Sequence, residues 1–274
     1  MDKLVVKPNL DVVFKAIFAR NEDLLRDFLS LVLDNKPEDY ENITILNPEI
    51  LPEQYNEKFP RLDLILKMQN GEKINIEMQN HDEHDYRQRS VYNQSRLFTR
   101  DLKRGDEYDD LTKTICINVL QIPLFESENY KSTVYPVIIE TNEIVTELWE
   151  IIYFETPKLP DKPGTRLEQW LKFFTINTEE EMNMARNSAD TMINKAIEVT
   201  YSMNDDTQMR EIARAREERM FNERSVMKAT ENFGVQKGIF KVARNLITLG
   251  VELDKIIKAT GLPESEIRQI QQEL

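Results

Sequence analysis

The sequence predicts an α/β fold in which a mixed β-sheet is covered by helices, followed by an α-helical C-terminal extension. Three observations predict it. Apolar residues at helical spacing fill positions 10–34. Short strand-like runs then recur between residues 43 and 154, two of them flanking Asn70-Gly71. A Pro-rich connector at 157–164 hands over to a chain that reads as helix almost throughout. The expected divisions are a core over residues 1–160, a helical extension with an exposed charged helix over 161–235, and a small helical hairpin over 236–274.

The elements follow in order. Val12, Val13, Phe14, Ile17 and Phe18, then Leu24, Leu25, Phe28 and Leu29, describe one or two helices that Pro37 with Glu38-Asp39 brings to an end. Residues 43–51 form a first strand weakened by Pro48. The runs 62–68 and 74–79 make a hairpin. Residues 84–104 are polar and helical, with Gly105 placed as a C-cap. Strands at 114–122, 133–140 and 148–154 complete the sheet. Beyond the connector, residues 205–232 carry many charges and few large apolar side chains, as an exposed helix or one that pairs with another chain would. Apolar order returns in Phe240, Leu246, Ile256 and Ile267, interrupted at Gly250 and Gly261-Leu262-Pro263, which suggests two short helices of helix-turn-helix or dimerisation type.

Bulk properties narrow the class. A chain of 274 residues with 40% hydrophobic and 31% charged residues is globular rather than disordered. No apolar run approaches the ~18 residues that cross a bilayer. Asp2, Lys3 and Lys7 in the first ten residues do not describe a secretory signal, and the expected location is cytoplasmic. The single cysteine, Cys116, forbids an internal disulfide framework and reads as a buried small hydrophobe. The net charge of -13 argues against a polyanionic partner, but the field near a groove is local. Between residues 87 and 104, six basic residues (Arg87, Arg89, Arg96, Arg100, Lys103, Arg104) face one acid, Asp101.

The register of the hairpin decides whether its acids meet. A two-residue loop at Asn70-Gly71 would set Asp63 opposite Met78 and mix charge with apolar bulk on both faces. A three-residue loop, Gln69-Asn70-Gly71, with Gly71 left-handed, pairs Leu62 with Met78, Leu64 with Ile76 and Leu66 with Ile74 on one apolar face. The other face then sets Asp63 opposite Glu77, with Gln79 one step beyond. Facing carboxylates ~5 Å apart at Cβ repel, and a shared proton, a neighbouring Arg or Lys, or a divalent cation each relieves the repulsion. Mg²⁺ and Mn²⁺ suit such hard oxygen ligands. His81 and His84 lack a cysteine partner, and their acidic neighbours look solvated, so they do not make a zinc site.

The string Arg61-Leu62-Asp63-Leu64 followed by Ile74-Asn75-Ile76-Glu77-Met78-Gln79-Asn80 resembles the PD-(D/E)XK nuclease signature in the variant ending Glu-x-Gln. More narrowly, the chain resembles the Rpn family of recombination-promoting nucleases, also labelled PD-(D/E)XK family transposases. Asp11-Val12-Val13-Phe14-Lys15 is similar to that family's Asp-x-x-Phe-Lys opening. Residues 89–92, then Gly105-Asp106-Glu107-Tyr108, resemble its central helix and following turn, and residues 238–274 its helical end. The resemblance implies a restriction-endonuclease-like core and Mg²⁺-dependent cleavage of DNA, with Mn²⁺ as an alternative ion. It implies Asp63 and Glu77 as metal carboxylates, the Met78 carbonyl as a further ligand, and Asp11 as an outer acid. Gln79 stands where the wider superfamily has a lysine; an amide orients and hydrogen-bonds but carries no charge. Arg89, Tyr92, Arg96 and Arg100, three or four apart on one helical stripe, are then the expected DNA contacts. Partners expected are DNA, no membrane, and a homodimer through the C-terminal helices. The competing expectation is a DNA-binding or regulatory protein that keeps the fold without turnover.

Overall fold

In the computed structural model, which describes residues 4–46, 64–81, 85–188 and 190–273 (at 187 and 188 the backbone alone), the N-terminal apolar pattern folds as two helices. Asp11 sits in the first turn of α1 (Asp11–Arg20), where a negative charge favours the helix dipole. The helix stops at Asn21, whose side-chain amide donates to the Ile17 carbonyl at 2.8 Å and so occupies one of the last turn's orphan acceptors. Glu22 and Asp23 open α2 (Glu22–Leu33), which ends at Asp34 in the left-handed conformation, before Pro37 is reached.

Strands β1 (Thr44–Ile45), β2 (Leu64–Lys67) and β3 (Lys73–Gln79) follow, then α3 (Tyr86–Thr99) and β4 (Thr114–Leu120). Of the expected first strand over 43–51, residues from 47 on lie outside the described residues, as do Arg61, Leu62, Asp63 and His84. β5 (Lys131–Val134) is followed by a separate ribbon of β6 (Val137–Ile138) and β7 (Glu143–Ile144), and β8 (Trp149–Glu155) closes the set. The strand expected over 133–140 is therefore broken, and Pro136, which has no N–H for a ladder, lies at the break.

The main sheet has the order β1-β2-β3-β4-β8-β5. β3 pairs antiparallel with β2 but parallel with β4, β4 is parallel to β8, and β5 returns antiparallel on the edge. Such a mixed sheet with helices on both faces is the expected architecture. Alternation sends Leu64, Leu66, Ile74, Ile76, Ile117 and Phe154 to one buried face, against which α1 packs at β3. The opposite face carries Asn75, Glu77, Gln79, Cys116, Asn118 and Tyr153 beneath α3. Cys116 is buried there among Tyr86, Leu120, Ile151 and Tyr153, as a small hydrophobe.

α3 is shorter than its polar pattern suggests. It ends at Thr99, and Gly105 (φ 102) belongs to a later turn in which Lys103 N–H donates to Asp106 at 2.7 Å. The stop comes from outside the helix. The buried Lys73 ammonium on β3 donates to the Leu97 carbonyl at 3.0 Å and to Asp101 at 3.2 Å, occupying an acceptor of the last turn.

After the connector come α4 (Arg166–Phe173), α5 (Glu179–Ser188), α6 (Thr191–Asp205) and α7 (Thr207–Thr248). A capping box starts α4: Thr165 Oγ1 accepts from Glu168 N–H at 3.1 Å, while the Glu168 carboxylate accepts from Thr165 N–H at 3.1 Å. Trp170 and Phe174 enter an aromatic cluster with Phe14, Phe18 and Phe28, ring centroids 5.0–6.1 Å apart. The buried Asp27 of α2 ties α4 to this cluster, accepting from Trp170 Nε1 and from Arg166, each at 2.8 Å.

By its internal packing the chain separates into two units, Met1–Arg216 and Glu217–Leu274. The second contains the remainder of α7 with α8 (Leu253–Thr260) and α9 (Glu264–Gln272), closed over Ala243, Ile256, Leu262, Ile267 and Ile270. Gly261 ends α8 in the left-handed conformation, φ 70, as the turn Gly261-Leu262-Pro263 requires. No helix among the described residues is long and apolar enough to cross a membrane.

Candidate functional site

The hairpin adopts the three-residue loop. Leu64 pairs with Ile76, Ile65 with Asn75 and Leu66 with Ile74. Gly71, at φ 87, donates its N–H to the Met68 carbonyl at 3.0 Å, and Met68 N–H reaches Glu72 across the loop at 2.8 Å. Asn70 Oδ1 accepts from Glu72 N–H at 3.1 Å, which stiffens the turn locally. The described part of β2 begins at Leu64, so Asp63 itself lies just outside the described residues.

On β3, Asn75, Glu77 and Gln79 share the face that α3 covers, while Met78 turns its side chain to the other, apolar face. Glu77 is 7% exposed, and its Oε1 accepts from Asn75 Nδ2 at 2.8 Å. Burial pushes its carboxyl up to about 7, and the negative charge of Asp11 adds to this; the Asn75 amide and the Arg89 guanidinium act in the opposite sense. Asp11, in the first turn of α1, is therefore close enough for its charge to be felt at Glu77. It does not stand alone: Arg216 Nε donates to both carboxylate oxygens, at 2.8 and 2.9 Å.

Gln79 is held at both ends. Its Nε2 donates to the His81 carbonyl at 2.7 Å, and its Oε1 accepts from Arg89 Nη2 at 2.9 Å. The Arg89 guanidinium lies 4.8 Å from the centre of the Tyr86 ring, and Tyr86 hydroxyl donates to Asn118 Oδ1 at 2.8 Å. Asn118 is the β4 partner of Glu77 in the sheet register. A layer of polar side chains thus fills the space between sheet and helix, completed by the 2.6 Å Ser90–Tyr153 hydroxyl pair.

The helical stripe that the sequence offers to DNA divides. Arg89 is half-buried against Gln79, whereas Tyr92, Arg96 and Arg100 are exposed. Arg96 donates to the Tyr92 hydroxyl at 3.2 Å. Among the described residues no group of three or more His, Cys, Asp and Glu side chains is arranged to hold a metal ion. Asn75, Tyr86, Asn118 and Arg216 were not marked as site residues by the sequence pattern. Asn75 had one local signal, since it lies two residues before Glu77 on a strand and must share its face.

A mixed sheet flanked by helices, with a buried Glu-x-Gln on its central hairpin and an arginine-bearing helix across that face, defines a nuclease fold of the PD-(D/E)XK class. The chain belongs to the PD-(D/E)XK nuclease family transposases, whose family model matches residues 8–230. The match takes in α1, the hairpin, α3 and the start of α7, and leaves residues 238–274 outside it. No curated protein and no solved structure matches the chain.

Proposed function

We propose that the chain is a Mg²⁺-dependent DNA endonuclease of the recombination-promoting type, hydrolysing phosphodiester bonds at the face of the β2–β3 hairpin. The observation that carries the reading is the register. Leu64 pairs with Ile76 and Ile65 with Asn75, which is the three-residue-loop register, the one under which the sequence pattern expects Asp63 to face Glu77. Asp63, Glu77 and the Met78 carbonyl would hold the ion, with Mn²⁺ as an alternative. The donor chemistry fits: all are hard oxygens, and a desolvated carboxylate that feels a second acid is stabilised by a cation. Such an ion lowers the pKa of bound water and offsets charge on the phosphate oxygens.

The rest falls to side chains of this chain. Gln79, fixed at both ends, orients groups at the site by hydrogen bonding. Tyr92 and Arg96, exposed on α3, and Arg100 at its C-cap take the DNA backbone, and the cationic charge of the two arginines acts locally on a chain of net charge -13. Asp11 is the outer acid, with Arg216 setting its position.

The test is nicking of supercoiled plasmid by the purified full chain in Mg²⁺ or Mn²⁺, with Asp63→Ala and Glu77→Ala beside it. Both variants are expected to lose cleavage. Unchanged cleavage in both removes the site assignment, and DNA retention at low salt without cleavage under either ion makes the chain a binding protein instead.

A further inference from the structure

We infer that Arg89 is a positioning residue of the cleavage site, acting through Gln79, rather than a member of the helix's phosphate-tracking row; this rests on the nuclease reading above. Three features separate Arg89 from Tyr92, Arg96 and Arg100.

First, it points inward. Its Nη2 donates to Gln79 Oε1 at 2.9 Å, while the other three side chains are exposed. Second, it rests on a built platform. Tyr86, beneath the guanidinium at 4.8 Å, is itself buried and bound through its hydroxyl to Asn118 at 2.8 Å. A cation held on an aromatic face and anchored at one end loses little further freedom when substrate arrives. Third, the amide it grips has no other choice of orientation. Gln79 Nε2 is engaged by the His81 carbonyl at 2.7 Å, which leaves Oε1 as the acceptor for Arg89. Gln79 is neutral, so the fixed positive charge on this side of Glu77 comes from the helix and is delivered at the amide. A charge fixed in advance in a water-poor site is worth more to a developing phosphate charge than one recruited from a mobile surface chain.

The experiment compares the full chain with Arg89→Met, Arg89→Lys and the double variant Arg89→Met/Gln79→Lys. Three quantities are measured: plasmid nicking at saturating DNA, DNA binding in EDTA over a range of salt, and Mn²⁺ binding followed by electron paramagnetic resonance. Arg89→Met is expected to lower turnover roughly ten- to a hundredfold, the typical loss when a partner that orients a site residue is removed. Its DNA affinity should move by less than about threefold, with the salt slope unchanged. Mn²⁺ should bind roughly three- to tenfold tighter once the positive charge felt at Glu77 is gone. A lysine at 79 places an ammonium where the guanidinium now lies. The double variant should therefore recover turnover to within about tenfold and return Mn²⁺ affinity to that of the parent. Arg89→Lys guards against a folding defect, since it keeps the charge and should keep the parent's Mn²⁺ affinity.

A salt slope that falls by about one while turnover is kept would mark Arg89 as a phosphate contact and overturn the inference. Unchanged Mn²⁺ affinity in Arg89→Met overturns it as well. If the parent binds Mn²⁺ yet cuts nothing, the endonuclease reading fails, and the Mn²⁺ shift between variants still decides the place of Arg89. Absence of Mn²⁺ binding to the parent overturns both.

Discussion

Replacing Glu77 by glutamine should stabilise the metal-free protein, increasingly as pH rises from the ordinary carboxyl value of 4.5 to the folded value of about 7, and fully above it. The side chain keeps its shape, and its carbonyl still accepts the 2.8 Å hydrogen bond from Asn75. In the folded chain the carboxyl is pushed up to about 7 by burial, against an ordinary value of 4.5. Between those two values the unfolded chain gives up its proton while the folded chain keeps it. The folded state binds more protons across that window, so stability is full below pH 4.5 and is lost as pH rises through about 7. A gap of that size corresponds to at most about 3–4 kcal/mol at ~1.4 kcal/mol per pH unit, and relaxation around Glu77 lowers it to about 1–3 kcal/mol. Urea unfolding in EDTA at pH 5 and pH 8 measures the difference between Glu77→Gln and the parent. Both tryptophans, Trp149 and Trp170, lie in the first unit, so their fluorescence reports on the unit that contains the site. The variant should gain little over the parent at pH 5 and clearly more at pH 8. An equal difference at both pH values, or a parent that gains on the variant as pH rises, refutes the burial argument.

Three further changes probe the scaffold. Arg216→Gln leaves Asp11 without its two-oxygen partner; with both side chains only 20% exposed, a loss of about 1–2 kcal/mol is expected in urea unfolding at pH 7, and a loss near zero would show that the pair is unimportant to folding. Gly71→Ala forces a side chain onto φ 87 with Thr112 Cγ2 only 3.2 Å from the new Cβ, so about 1–2 kcal/mol should be lost, visible as a lowered melting temperature; an unchanged midpoint would mean the loop has another conformation. Trp170→Phe keeps an aromatic ring in the cluster but removes the N–H that Asp27 accepts at 2.8 Å, and should cost about 1–3 kcal/mol, more than Phe173→Leu on the same helix.

What the sequence determined by itself was local. The alternation of Leu64 and Leu66 against Ile74 and Ile76 admits one register with a clean apolar face, and Gly71 supplies the left-handed residue that this register needs. Helical periodicity separated α1 and α2 from the strands, and Gly261 marked the end of α8, because caps and periods are written within a few residues of where they act. The Glu-x-Gln string and the Asp-x-x-Phe-Lys opening pointed to the family for the same reason.

Tertiary structure decided whatever depends on residues far apart in the chain. Lys73 ends α3 from a strand 24 residues away, so no reading of the helix itself gives its last turn. Arg216 meets Asp11 across 205 residues, and nothing in the charged run around it distinguishes that arginine from its neighbours. Arg89 and Arg96 look alike as members of one basic stripe. Only the packing of α3 on the sheet sets the first against Gln79 and leaves the second in solvent, because a stripe wider than the contact is cut where packing ends. The sequence thus specified the hairpin and its register, while the fold decided which charges from elsewhere in the chain act on Glu77 and Asp11.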